Sequence, residues 1–66
     1  IDLLLQTKDY IYIVELKIDN TADAALQQIA DKGYAKPFVN DPRKLFKIGV
    51  SFSTADRRIE DWKVVE

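Results

Sequence analysis

The stretch that decides the fold is Tyr10-Ile11-Tyr12-Ile13-Val14-Glu15-Leu16-Lys17-Ile18. It is built from β-branched and aromatic residues, the types that suit a pleated strand. Side chains alternate between the two faces of a strand. Ile11, Ile13, Glu15 and Lys17 therefore share one face, and Tyr10, Tyr12, Val14, Leu16 and Ile18 share the other. An acid and a base close an otherwise apolar strand face. Central strand positions rarely hold charge without a partner, so function is sought on this face.

Toward the N-terminus, Ile1-Asp2-Leu3-Leu4-Leu5-Gln6 predicts a short strand and Thr7-Lys8-Asp9 a turn. The two strands are close enough to form an antiparallel hairpin. With a two- or four-residue loop, paired positions sum to 17. Asp2 then lies opposite Glu15 on the same face, with Cβ atoms about 5 Å apart. A three-residue loop would move Asp2 to the other face. Facing carboxylates repel, so the arrangement is unfavourable unless a cation lies between them or one keeps a proton.

Toward the C-terminus, Asp19-Asn20-Thr21 supplies helix N-cap candidates, and Asp23 falls in the first turn, where negative charge suits the dipole. Ala22, Ala25, Leu26, Ile29, Ala30 and Gly33 follow helical spacing and form one narrow apolar stripe. Pro37 ends or kinks this helix, with the expected end near Lys36. Asn40-Asp41-Pro42 is a turn. Leu45 to Phe52 is a nearly continuous apolar run, which suits a strand covered on both faces. Thr54-Ala55-Asp56-Arg57 turns the chain, and Ile59 to Val65 predicts a fourth strand with Trp62 and Val64 on one face. The expected architecture is α/β (α+β): a mixed, mainly antiparallel four-stranded sheet in element order β-β-α-β-β. One crossover helix lies on one face, and the β-α-β part is right-handed.

Composition bounds the chemistry. The chain has 66 residues, enough for one domain only, with no Cys, His or Met. A chain this short buries only about 60% of its unfolded surface, and without Cys no disulfide can reinforce it. Thiol nucleophiles, Cys- or His-based zinc sites and Ser-His-Asp triads are excluded. Carboxylates, lysine, hydroxyls or hard cations must carry any reaction. Ten Lys and Arg against eleven Asp and Glu give net charge −1, which neither predicts nor forbids nucleic-acid binding. The apolar runs are too short for a transmembrane helix, so no membrane role is expected. The lack of Cys is compatible with a reducing cytoplasm, the expected location. The opening in apolar sequence without Met suggests a single partial domain, residues 1–66, cut from a longer protein.

Two carboxylates, a backbone carbonyl and waters make a hard, oxygen-only site that favours Mg2+ or Mn2+ over zinc. Lys17 beside it could orient a metal-bound water or stabilise charge on a phosphate. The residues thus point to metal-assisted hydrolysis, with a phosphodiester as the natural substrate.

Asp2, followed after twelve residues by Glu15-Leu16-Lys17, matches a D-x(n)-(D/E)-x-K pattern. With the hairpin and the next helix, it resembles the PD-(D/E)XK nuclease superfamily. The wider string also includes Ala25-Leu26-Gln27-Gln28-Ile29, Lys32-Gly33-Tyr34-Ala35, Ile48-Gly49-Val50-Ser51-Phe52 and Trp62. It looks like the restriction-endonuclease-like domain appended to bacterial AAA-ATPase-like proteins. The resemblance implies that Asp2 and Glu15 bind Mg2+ (or Mn2+), that the Leu16 carbonyl is a further ligand, and that Lys17 assists the attacking water. A helix glutamine often joins such sites, and Gln28 is the best match, with Gln27 as the fallback. The family core begins with a helix and strand that precede the Asp strand. Their absence here implies a truncated core with an exposed sheet face or edge, covered by self-association or by another part of the parent protein. Departures from the pattern are also present, since Ile rather than Pro precedes Asp2.

Two other functions fit the same residues. One is a catalytically inactive nuclease fold that binds nucleic acid or protein beside an ATPase. The other is a structural interaction domain in which Glu15 and Lys17 are a solvated strand-end pair, worth little to stability. The tyrosines read as core or rim aromatics. Trp62 is expected to anchor the last strand to the helix or to a neighbouring chain. Arg57-Arg58, with Lys44 and Lys47 near in sequence, could reach phosphates, but a solvated charged turn is the expected reading.

Overall fold

A computed structural model describes residues 2–66 of the chain. Ile1, read as the start of the first strand, lies outside the described residues. The elements are β1 (Leu3–Gln6), β2 (Tyr10–Ile18), α1 (Ala22–Lys32), a short 3-10 turn (Lys36–Phe38), β3 (Lys44–Ser53) and β4 (Arg58–Val65). They form one four-stranded sheet in the order β1-β2-β3-β4. β1 and β2 are antiparallel, β2 and β3 parallel, and β3 and β4 antiparallel. The expected element order and mixed sheet are both present.

The hairpin register sums to 17 on every rung, from Gln6 opposite Ile11 to Leu3 opposite Val14. The Thr7 N–H donates to the Tyr10 carbonyl at 2.8 Å, so the turn proper is Lys8-Asp9. The Thr7 hydroxyl closes it by accepting the Tyr10 N–H at 3.0 Å.

Helix α1 lies on one face of the sheet. Its buried residues Ala22, Ala25 and Ile29 meet Ile11 and Ile13, and these five form the apolar core. Small residues let helix and sheet approach closely. At Gly49 the approach is closest: a Cβ there would lie 2.4 Å from the Ala22 carbonyl oxygen and 3.2 Å from the Ala25 Cβ. Only glycine fits that rung.

The helix begins where Thr21 accepts the Ala24 N–H at 3.0 Å, so Thr21 is the cap among the three candidates. It ends at Lys32, four residues before the expected end. Gly33 is left-handed (φ 65°). Its N–H and that of Tyr34 donate to the Ala30 and Ile29 carbonyls at 3.1 and 3.3 Å. Gly33 therefore stops the helix as a C-cap and does not extend its apolar stripe. Pro37 sits in the 3-10 turn beyond.

Strand β3 is covered by α1 on one face only, and not on both as its apolar run predicts. The other face carries Leu3, Leu5, Leu16, Ile18, Trp62 and Val64, all more than 40% exposed. Trp62, expected to anchor its strand, is 65% exposed. It faces away from the helix, beside Val50. A bulge between Ser51 and Phe52 shifts the β3–β4 register: Ser51 opposes Asp61, Phe52 opposes Ile59 and Ser53 opposes Arg58. Glu60 is the residue absorbed.

Candidate metal-dependent active site

Strand alternation brings Glu15 and Lys17 to the helix-covered face. Glu15 lies beside Gly49, is only 5% exposed, and is the most buried carboxylate among the described residues. The missing side chain at Gly49 is what lets α1 settle low enough for its polar edge to reach β2. From that edge Gln28 bridges the pair: the Lys17 ammonium donates to Gln28 Oε1, and Gln28 Nε2 donates to Glu15 Oε1. A lysine can only donate and an ionised carboxylate can only accept, so the two partners fix the orientation of the amide. Gln27, the fallback, points elsewhere and donates to Asp31 at 2.8 Å. Adjacent helix positions differ by about 100° in direction, so only one of the two glutamines can face the sheet.

Asp2 lies one residue beyond the last rung of the hairpin. Its N–H donates to the Val14 carbonyl at 3.2 Å, and its Oδ2 accepts the Leu16 N–H at 2.6 Å. Each carboxylate thus has its own donor: Leu16 N–H for Asp2, the Gln28 amide for Glu15.

In an extended strand the N–H and C=O of one residue point to the same side. The Leu16 carbonyl is therefore turned toward the edge that carries Asp2. Asp2 and the Leu16 carbonyl share this edge, and Glu15 is the neighbouring residue of the same strand, on the helix-covered face. That donor set fits Mg2+ or Mn2+, which take one or two carboxylates and keep several waters. Among the described residues, no three acidic side chains converge, so the carbonyl and waters would complete the shell.

A sequence model described as the PD-(D/E)XK nuclease superfamily matches residues 1–62. The chain belongs to the PD-(D/E)XK nuclease superfamily. Members of this superfamily generally use divalent metals, in keeping with the oxygen donors at this corner. The match spans Asp2, the Glu15-Leu16-Lys17 strand, α1 with Gln28, and β3. No curated protein and no solved structure matches the chain significantly.

Two charged features of this PD-(D/E)XK chain were not legible in its sequence. Arg43 grips Asp41 through Nε and Nη2 at 2.9 and 2.8 Å, and also donates to the Thr7 carbonyl and to Gln6 Oε1. It ties the β1–β2 turn to the entry of β3. The bond from Arg43 holds the Asp41 carboxyl down at about 2. Asp41 is only two residues away, but Thr7 and Gln6 lie 36 and 37 residues from Arg43, and no local pattern joins them. Asp19, left-handed at φ 52°, accepts the Thr54 N–H and hydroxyl at 3.0 and 2.5 Å, and these bonds lower its pKa. It pins the exit of β2 to the end of β3, just beyond Lys17. Lys44 is not near the site: it pairs with Glu66 at 3.2 Å and lies over the Phe46 ring at the other end of β3. A groove of about 490 Å³ beside Phe38, Val39, Arg43 and Leu45 is also at that far end. Of its three charged residues, Asp41 and Arg43 are spent on one another and Lys36 remains. No helix is long and apolar enough to cross a membrane among the described residues.

Proposed function

We propose that this domain hydrolyses phosphodiester bonds of DNA or RNA with Mg2+ or Mn2+. The observation that carries the reading is the chain of contacts from Lys17 through Gln28 to Glu15, one residue from the Asp2–Leu16 bond. In this reading Asp2, Glu15 and the Leu16 carbonyl hold the cation. A bound divalent ion would acidify a coordinated water and offset charge on the phosphate. Lys17 places an ammonium beside the attacked phosphate, where it orients the water and stabilises negative charge as it develops. Gln28 keeps Lys17 and Glu15 in fixed relation, so neither has to reorganise during the reaction.

The parent protein is proposed to be a bacterial AAA-ATPase-like protein of the cytoplasm, as the sequence resemblance implies. The open apolar sheet face is proposed to be covered by self-association or by another part of that parent.

The test is cleavage of plasmid DNA and of a labelled RNA in Mn2+ and in Mg2+. The wild-type chain should cut, and Lys17→Ala should be slower by at least about 100-fold. Binding without metal-dependent cutting would identify an inactive nuclease-fold module. Neither binding nor cutting would leave a structural interaction domain.

A further inference from the structure

Ten Lys and Arg residues occur in the sequence. Near the proposed site two on the helix-covered face are engaged, whereas Lys47, the register partner of Ile13, forms no ion pair or side-chain hydrogen bond among the described residues. Lys17 bonds to Gln28, and Lys63 pairs with Asp23 at 2.8 Å. Arg57 and Arg58, at the β3–β4 turn, differ: among the described residues neither forms an ion pair or a hydrogen bond through its side chain. Both are exposed.

Two independent features mark the pair: one gives Arg58 a direction, the other gives Arg57 a cost. The first is the bulge. Ser51 and Ser53 are buried on the helix-covered face of β3, and Arg58 is the register partner of Ser53. Cross-strand partners share a face. By absorbing Glu60, the bulge puts Arg58 on the face that carries Glu15 and Lys17, and Ile59 on the open one. An unbroken register would have reversed them. Bulges beside active sites commonly re-aim a side chain in this way.

The second is backbone strain. Arg57 has φ 54°, in the left-handed region where glycine or asparagine sits with little strain. A long cationic side chain at such a position indicates that the side chain itself is used.

Lys17 and Arg58 lie two strands and about two rungs apart, so their backbones are separated by about 12 Å. That spans three or four nucleotides at about 3.4 Å of rise each. From this placement we infer that Arg57 and Arg58 bind the phosphate backbone of the nucleic acid a few nucleotides from the bond being cut. The inference rests on the nuclease reading above. Asp56 and Glu60 flank the pair in sequence, so it acts by direct contact with phosphate oxygens and not through a broad basic field.

The test is fluorescence anisotropy of a labelled DNA duplex and of an RNA of matched sequence. It is run in EDTA to prevent cleavage, between about 50 and 200 mM salt. Wild type is compared with Arg57→Gly, Arg58→Ala and Lys8→Ala, the last in the turn at the opposite end of the sheet. Each arginine substitution should weaken binding and lower the slope of log affinity against log salt by about 1. Lys8→Ala should change neither. Arg57→Gly should melt no lower than wild type, because it relieves the left-handed strain, so its weaker binding cannot be charged to misfolding. The DNA and RNA arms show which backbone is preferred. Wild-type binding that survives both arginine substitutions, or that falls equally with Lys8→Ala, overturns this inference and leaves the nuclease reading intact. No wild-type binding to either nucleic acid overturns this inference, and only the further lack of cutting in Mn2+ and Mg2+ overturns the nuclease reading as well.

Discussion

Gly49 and Gln28 show how much the site depends on single side chains. Gly49 has no room for a methyl, with a backbone oxygen 2.4 Å from where its Cβ would be. Gly49→Ala should therefore cost about 1–3 kcal/mol by overpacking, seen as a lower melting temperature. It should also lift α1 and draw Gln28 away from Glu15 and Lys17. Gln28→Ala leaves the apolar core untouched but removes the bridge and the donor it gives buried Glu15, at a cost of about 1–3 kcal/mol. Outer-shell partners of a metal site are commonly worth 10- to 100-fold in activity. Gln28→Ala should thus slow metal-dependent cleavage by about that factor when assayed well below its own, somewhat lowered, melting temperature. A variant that cuts at the wild-type rate would show that the bridge is not used. The pairing of Glu15 with Lys17 on one face was legible because strand alternation has a period of two. The choice between Gln27 and Gln28 was not, because it turns on the rotation of a helix against a sheet.

At the scale of elements, each strand and the helix answered to local sequence, and the differences lie at their ends. Gly33 fits the apolar stripe by spacing, yet its left-handed backbone makes it the stop signal. The face taken by Trp62 could not be read locally, since either face of β4 could have met the helix. The clasp of Arg43 on Asp41, Thr7 and Gln6 joins residues up to 37 apart, beyond any sequence window. That clasp predicts a pH dependence. The Asp41 pKa falls from 3.8 to about 2 on folding, so the unfolded chain binds the proton more readily. The stabilisation is fully present above pH 4 and is lost as pH falls from about 4 toward 2. Circular dichroism melts across that range should show wild type losing stability on acidification. Asp41→Asn should start lower at neutral pH and lose less. Parallel acid profiles for the two proteins would show that the clasp carries no stability.

On the scale of the whole molecule, one sheet face carries the helix with Glu15, Lys17 and Gln28, and the other is left apolar. Trp62, at 65% exposure, reports on the second. If the chain covers this face by self-association, sedimentation should show higher-order species as concentration rises, and the Trp62 emission should move to shorter wavelength with them. A monomer with water-exposed emission at every concentration would assign the cover to another part of the parent protein.

The central claim concerns the first face: Asp2, Glu15 and the Leu16 carbonyl form one hard-cation site. A ligand that binds only the folded chain stabilises it by about 2.7 kcal/mol at one hundred times its dissociation constant. For a domain of this size that raises the melting temperature by about 10 °C or more. The most direct measurement is therefore the thermal shift on titrating Mn2+ into the wild-type chain, Asp2→Ala and Glu15→Ala. A saturable rise in wild type that is lost in both variants is the predicted result. A wild-type melting temperature indifferent to Mn2+ and Mg2+, or a rise that persists in both variants, would contradict the account.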